Sequence, residues 1–458
     1  MIRTHCLEGD LHGNMQLPPE CFGDPLSRSN EIRKLTIPSP GMSPYRVVWS
    51  LLALSLIVSV SQAKLAWPAR DADNCHSRTS PFVGPSSLGT LSSVALGKCN
   101  FINALPPVMD TNGVIYMVVE IPEENQNPLN TRHLMAVKNG SVLWSVQPNF
   151  YNNSVFDNQM SALALSLTGE YLYYTEHLLI LKLDTATGTV HWDLDVDPKF
   201  GDFKSITVTE HLLVVATDHV LMGLLPNAST SWLLFDVSPT FVGINPQAST
   251  VLVANHTSLS GISTQDGTIL WTYTIPDLSP TFGYTAIMGD HSAYLLQPQD
   301  QTGTLMLWQY DIVEGKQAKQ IPLSGTISSC RDAPYQVALH SASQRLAFSC
   351  TTSAAATAQL FILDLSAATV MEVNDAMVME RYENMLFDAK GYLYVQGQQS
   401  GSPASALMRF DRIAPYHTPT TTISLPSPTG SLLSAGMIIG SDSFLYTFPD
   451  SCIVMTVQ

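Results

Sequence analysis

Three aspartates alternate with apolar residues in Asp193-Leu-Asp195-Val-Asp197. On an extended strand their carboxylates project from one side, roughly 6.6 Å apart at the usual rise per residue. Calcium is held by about six to eight oxygen ligands, so this triplet is a candidate part of a calcium site. An exposed acidic connector accounts for the same residues in a chain of net charge −16. Three further pairs, Glu176-His177, Asp218-His219 and Asn255-His256, place imidazole beside an acid or amide. Such pairs can ligate metal or move protons. Short turns also select Asp, Asn and other polar residues for backbone reasons. Sequons stand at Asn139, Asn152, Asn227 and Asn255, the acceptor pattern for glycosylation in a lumenal compartment. Cys75, Cys99, Cys330, Cys350 and Cys452 are disulfide candidates there, with one left over. There is no Gly-x-Ser-x-Gly elbow, no His-Glu-x-x-His helix and no phosphate loop, since Gly97-Lys98-Cys99 lacks the glycine spacing.

The elements that must position these residues recur from about Ala104 to the C-terminus. The unit is a Gly-bearing turn, a Tyr- or Leu-rich strand, a tight turn, another strand and a closing turn. Leu167 to Trp192 is its clearest copy and reads as three successive antiparallel strands. A turn glycine precedes a tryptophan by four residues at Gly140–Trp144, Gly188–Trp192 and Gly267–Trp271, while Trp232 follows Ala228 in the glycine's place. Successive tryptophans therefore lie 48, 40 and 39 residues apart, the length of one four-stranded propeller blade. A lone sheet cannot bury both apolar faces, so blades must pack face to face around an axis, with Trp144, Trp192, Trp232 and Trp271 filling the wedges. Later copies keep an aspartate at Asp311 and Asp364 where Asp184 stands. The spacing predicts an all-β propeller of eight blades, or seven. Its last blade stops short of an outer strand, which Leu91 to Leu96 is expected to supply as the closing strand. A disulfide from Cys452 to Cys75 or Cys99 would lock that join.

The strand-Gly-Trp unit resembles the repeat of pyrroloquinoline-quinone-type propellers, the quinoprotein alcohol dehydrogenase-like family, over roughly residues 104–458. That resemblance implies the fold. The family includes quinone dehydrogenases, outer-membrane assembly scaffolds and domains of no known activity, so it does not imply one chemistry. The dehydrogenases' vicinal cysteine pair has no counterpart here, because no Cys-Cys occurs. No catalytic or cofactor-binding residue is carried over, and no cofactor is expected beyond calcium at the aspartate triplet.

Composition narrows the partners. With 22 basic against 38 acidic residues and 45% hydrophobic content, the chain suits a packed core and repels nucleic acid. The apolar run Val47 to Val60, after Arg46 and before Ser61-Gln62-Ala63, has the order of a secretory signal. The expected divisions are an upstream extension at 1–41, a signal peptide at 42–63, an N-terminal segment with the closing strand at 64–103, and the propeller at 104–458. An uncleaved signal would instead give a type II membrane anchor. The leading expectation is a non-catalytic secreted or lumenal glycoprotein that binds a protein or glycan partner as a scaffold. The alternative is a diverged quinone- or metal-dependent oxidoreductase, or a propeller glycan hydrolase. Polar and small-residue insertions at Gln297 to Gly303, Ala354 to Ala358 and Gln396 to Ser405 favour recognition through loops.

Overall fold

The computed structural model describes residues 79–458 except 98, 102–105, 122–130, 149–161, 177, 246–248, 256, 276–284, 290, 299–304, 324–335, 352–357, 374–378, 401–404, 412–418, 426–435 and 449–452. The signal segment and Cys75 lie outside the described residues. The described chain is all-β, with eight antiparallel sheets arranged as the blades of a propeller. Blade 2 shows the pattern: Ala162–Leu165, Tyr171–Glu176, Leu179–Asp184 and Val190–Asp195 pair in sequence order from the inside out. Blade 1 differs in having its inner strand in two pieces, Asn100–Phe101 and Val108–Met109, both paired to Ile115–Ile121.

Burial explains the residue types. Second strands such as Leu213–Thr217 and Thr250–Ala254 are buried throughout, because a neighbouring blade covers each face of the sheet. Outer strands alternate instead, as in Val190–Asp195, where Trp192 and Leu194 are half-buried between exposed His191, Asp193 and Asp195. Apolar clusters fill each space between neighbouring blades. One such cluster joins Tyr116, Leu134 and Ala136 of blade 1 to Leu163, Leu172 and Leu181 of blade 2. Another joins Met109 and Met117 of blade 1 to Ile438 and Leu445 of blade 8, which brings the first and last blades together.

The tryptophans interlock neighbouring blades. Trp144 Nε1 donates to Thr185 O at 2.8 Å, Trp192 Nε1 to Pro226 O at 3.0 Å and Trp232 Nε1 to Thr264 O at 2.9 Å, each acceptor lying in the next blade's closing turn. The turn glycine four residues before a tryptophan therefore serves the preceding blade's tryptophan. A Cβ on Gly188 would stand 2.8 Å from the Trp144 ring, and one on Gly267 2.9 Å from Trp232. Gly315 lies in the same way against Trp271. On its own blade, Trp232 sits over Gly223 and Trp271 over Gly261. Blades 1 and 2 differ: Ala136 pairs with Trp144, and Lys182 with Trp192, its ammonium 3.8 Å over the Tyr171 ring; in blade 3 Ala228 takes the left-handed turn position at φ 68°.

The outer strand of blade 8 comes from the other end of the chain. Leu91–Ala95 runs antiparallel to Ile453–Val457, with Leu91 opposite Val457 and Ala95 opposite Ile453. Val94 lies over Gly140 of blade 1, the place that Trp144 takes over Gly188. Upstream, Ser80 N donates to Phe387 O at 2.8 Å, Thr79 Oγ1 donates to Leu339 O, and Ser80 Oγ to Ile439 O at 3.5 Å. Those carbonyls belong to the inner strands of blades 7, 6 and 8. From there the chain crosses blade 7, where Gly84 N meets Asp388 Oδ2 at 3.0 Å and Tyr394 OH donates to Pro85 O at 2.8 Å.

Replacing Gly315 by Ala forces a Cβ into the Trp271 ring at a left-handed φ of 64°. Gly113→Ala, at φ 75° with nothing within 4 Å, carries only the backbone strain. By urea denaturation we expect Gly315→Ala to cost about 2–4 kcal/mol and Gly113→Ala about 1 kcal/mol. Equal costs would show that the tryptophan contact adds nothing to the interlock.

Candidate binding face

The strand order divides the connections between two faces. On one lie the links from first to second and from third to fourth strand, five residues or fewer except 411–420. Asx geometry ties these turns down. Asp110 Oδ1 accepts from the amides of Asn112 and Val114, Asp388 Oδ1 from Lys390 and Tyr392, and Asn245 Oδ1 from Ser249 and Thr250. Asp184, Asp311 and Asp364 do the same in the closing turns, so their recurrence in sequence reflects turn chemistry. The other face carries the links from second to third strand and the crossings between blades. Their lengths range from two residues at 177–178 and 218–219 to 15 at 147–161.

All three expected insertions fall on this long-loop face, though their ends belong to strands. Gln297 closes Ser292–Pro298, Ala358 opens Ala358–Asp364, and Gln396 lies inside Leu393–Gln399. The acid- or amide-histidine pairs lie on the same face, in equivalent turns of blades 2, 3 and 4, and do three different things. Glu176 is 3% exposed and ion-paired to Arg132. Asp218 binds Lys204 at 2.7 Å and accepts from the Asp202 amide at 2.8 Å. Burial alone would raise its pKa; the lysine and the amide outweigh that and hold it below the usual aspartate value. Asn255 Oδ1 accepts from Thr257 and Ser258, through both amides and both hydroxyls. His177 and His256 lie outside the described residues.

Asp193 and Asp195 stand exposed on the outer strand of blade 2, as alternation requires. Asp197 lies past the strand's end. It caps the short 3-10 turn Pro198–Phe200, its Oδ1 accepting from Lys199 N at 3.0 Å. Among the described residues no three His, Cys, Asp or Glu side chains are placed to hold one metal ion. Of the sequons, Asn139 and Asn227 are exposed in tight turns on the opposite face. Asn255 also engages its amide nitrogen, donating to Val237 O at 3.4 Å, and Asn152 lies outside the described residues. Cys99 and Cys350 are buried in inter-blade clusters, and Cys330 and Cys452 are not described.

Two buried glutamates are ion-paired to arginines that the sequence reading did not single out. Arg132 and Glu176 join blades 1 and 2 near the long-loop edge, with Tyr174 OH also donating to Glu176 at 2.5 Å. Burial pushes the Glu176 carboxyl up, against the pull of Arg132. On the inner strand of blade 7, Glu383 sits where the register slips between Tyr382 and Asn384. Its side chain is 6% exposed, Arg381 Nη2 lies 3.3 Å from one oxygen, and the other oxygen has no hydrogen-bond partner. The available signal for the second pair was the close spacing of Arg381 and Glu383 in a chain only 13% charged.

Burial raises Glu383 from the ordinary 4.5 to about 7. The folded state therefore holds a proton that the unfolded state releases between those values, and the stability this contributes is full below about pH 4.5 and lost as pH rises through 7. We expect Glu383→Gln to be more stable than the parent at pH 8 by on the order of 2–3 kcal/mol and equal to it at pH 4. Denaturation curves at the two pH values check this.

No protein-family model matches the chain, and no curated protein matches its sequence. Solved structures do. BamB from Moraxella catarrhalis aligns with a TM-score of 0.53 at 13% identity, over 81% of this chain and 99% of that one. Quinohemoprotein alcohol dehydrogenase from Comamonas testosteroni aligns with a TM-score of 0.59 at 11% identity, over 88% and 82%. At such identities the likeness is one of fold. The chain is an eight-bladed β-propeller similar in architecture to these two structures.

Proposed function

We propose that this chain is a non-catalytic secretory-pathway or extracellular glycoprotein whose long-loop face binds a protein partner. The division of the faces carries the reading. One face is built of short Asx turns and crossed by the segment from Thr79 to Gly89, so its polar groups are spent on the fold. The other holds the long connections and every one of the three polar insertions, and loops on a rigid scaffold are where recognition resides. A secretory location is supported by the signal-like segment, by exposed Asn139 and Asn227, and by the five cysteines past that segment, which an oxidising compartment would pair. Glycans at those two asparagines would decorate the tight-turn face and leave the long-loop face open.

Native mass spectrometry of the secreted protein tests the non-catalytic half, and photo-crosslinking tests the face. We expect the polypeptide mass plus glycans and no stoichiometric ligand. We also expect a crosslinker at His219 to trap a defined protein, while one at Leu143 on the opposite rim traps none. A bound quinone or metal would overturn the first half. Crosslinking from Leu143 alone would overturn the second.

A further inference from the structure

Within the long-loop face one apolar group is held out in water. Phe235, the last residue of blade 3's outer strand Thr230–Phe235, is 62% exposed. Its ring meets Phe200 edge to face, with centroids 5.9 Å apart and planes at 76°. Other exposed large apolar side chains, such as Leu143, Leu225, Ile269 and Val313, lie in or beside tight turns of the other face. Both supports of the aromatic pair are fixed. Phe200 O accepts from His219 N at 3.1 Å and from Thr217 Oγ1 at 2.6 Å, so the 3-10 turn is pinned to blade 3. After Phe235 the backbone passes through left-handed Asp236 and Ser238, at φ 59° and 44°. Between them Val237 donates to His219 O at 3.3 Å and accepts from Asn255 at 3.4 Å. A non-glycine residue in that region costs on the order of 1 kcal/mol; the turn seats half-buried Val237 against the cluster between blades 3 and 4 and leaves the Phe235 ring in solvent.

The surroundings say what would cover it. Asp236 adjoins Phe235 in the chain, Asp197 caps the turn that carries Phe200, and exposed Asp195 ends the strand just before it. Lys199 is the cation of that turn, and Lys204 is already bound to Asp218. An exposed aromatic with carboxylates on its own turn and on the turn of its partner ring complements an apolar side chain flanked by Lys or Arg. The edge-to-face pair presents no flat platform of two coplanar rings for a sugar. We infer that Phe235 and Phe200, with Asp195, Asp197 and Asp236, form a docking site for a basic, apolar segment of a protein partner. This deepens the reading of the long-loop face as the binding face and rests on it.

The probe is a labelled ten-residue peptide of alternating Lys and Leu, followed by fluorescence anisotropy, with a Glu/Leu peptide and maltohexaose as comparisons. We expect the Lys/Leu peptide to bind, and Phe235→Ala to weaken it about tenfold or more. The double reversal Asp197→Lys with Asp236→Lys should weaken it to a similar degree and transfer binding to the Glu/Leu peptide. Ile269→Ser on the opposite rim should leave the affinity unchanged. Both replaced regions are exposed, and circular dichroism confirms that each variant folds. No binding of the Lys/Leu peptide, binding unaffected by both changes at Phe235 and the aspartates, or maltohexaose binding lost in Phe235→Ala overturns the inference. If the inference fails while His219 still crosslinks a protein, the face is right and this site on it is wrong.

Discussion

The contact on which the rest of the molecule depends is a tryptophan of one blade seated on the closing-turn glycine of the next. Trp144, Trp232 and Trp271 each fill the wedge where two twisted sheets diverge toward the rim. The ring fits because the facing turn has no Cβ. It is held in place where its indole N–H reaches the turn's carbonyl, as Trp144 and Trp232 do. Burial of each such ring contributes roughly 2–3 kcal/mol, but the larger consequence is angular. The contact fixes how far blades 2, 4 and 5 are rotated from the blades before them. The outer strands of blades 5 to 8 carry no tryptophan, and at the join of blades 8 and 1 Val94 from the N-terminal strand lies over Gly140 in its place.

Fixing the blades on one side frees the other. The wedge glycines, the Asx turns and the crossing segment from Thr79 all gather on the tight-turn face. Sequence there is constrained residue by residue, because a left-handed glycine or a capping aspartate has few substitutes. The opposite face is constrained only where a strand ends. Its connections vary from blade to blade, and equivalent positions diverge in role: an ion pair at Glu176, a lysine-bound carboxylate at Asp218 and a turn cap at Asn255. Such divergence on a common frame is what a recognition surface requires.

Much of the frame was legible in the sequence because it rests on local chemistry. The spacing of Trp144, Trp192, Trp232 and Trp271 revealed the blade length, and Asp184, Asp311 and Asp364 marked the closing turns. The glycine before each tryptophan was visible too, but its partner was not. Gly188 serves Trp144 rather than Trp192, a relation between blades that no single copy contains. The site was less legible for the same reason. Asp197 read as the third member of a strand row, yet the strand ends at Asp195 and Asp197 caps the turn beneath Phe200. The exposure of Phe235 depends on how the following turn is pinned to blades 3 and 4, a relation that no local pattern contains. The Arg132–Glu176 pair spans 44 residues and two blades, and the register slip at Glu383 is set by its neighbouring strand.

Hydroxyl-radical footprinting of the protein in its native extract, compared with the purified protein, reads the division of the faces most directly. A partner on the long-loop face protects Phe235 and His219 while leaving Leu143, Ile269 and Val313 as reactive as in the purified protein. Protection confined to those three aliphatic residues would place the binding surface on the tight-turn rim and contradict the division.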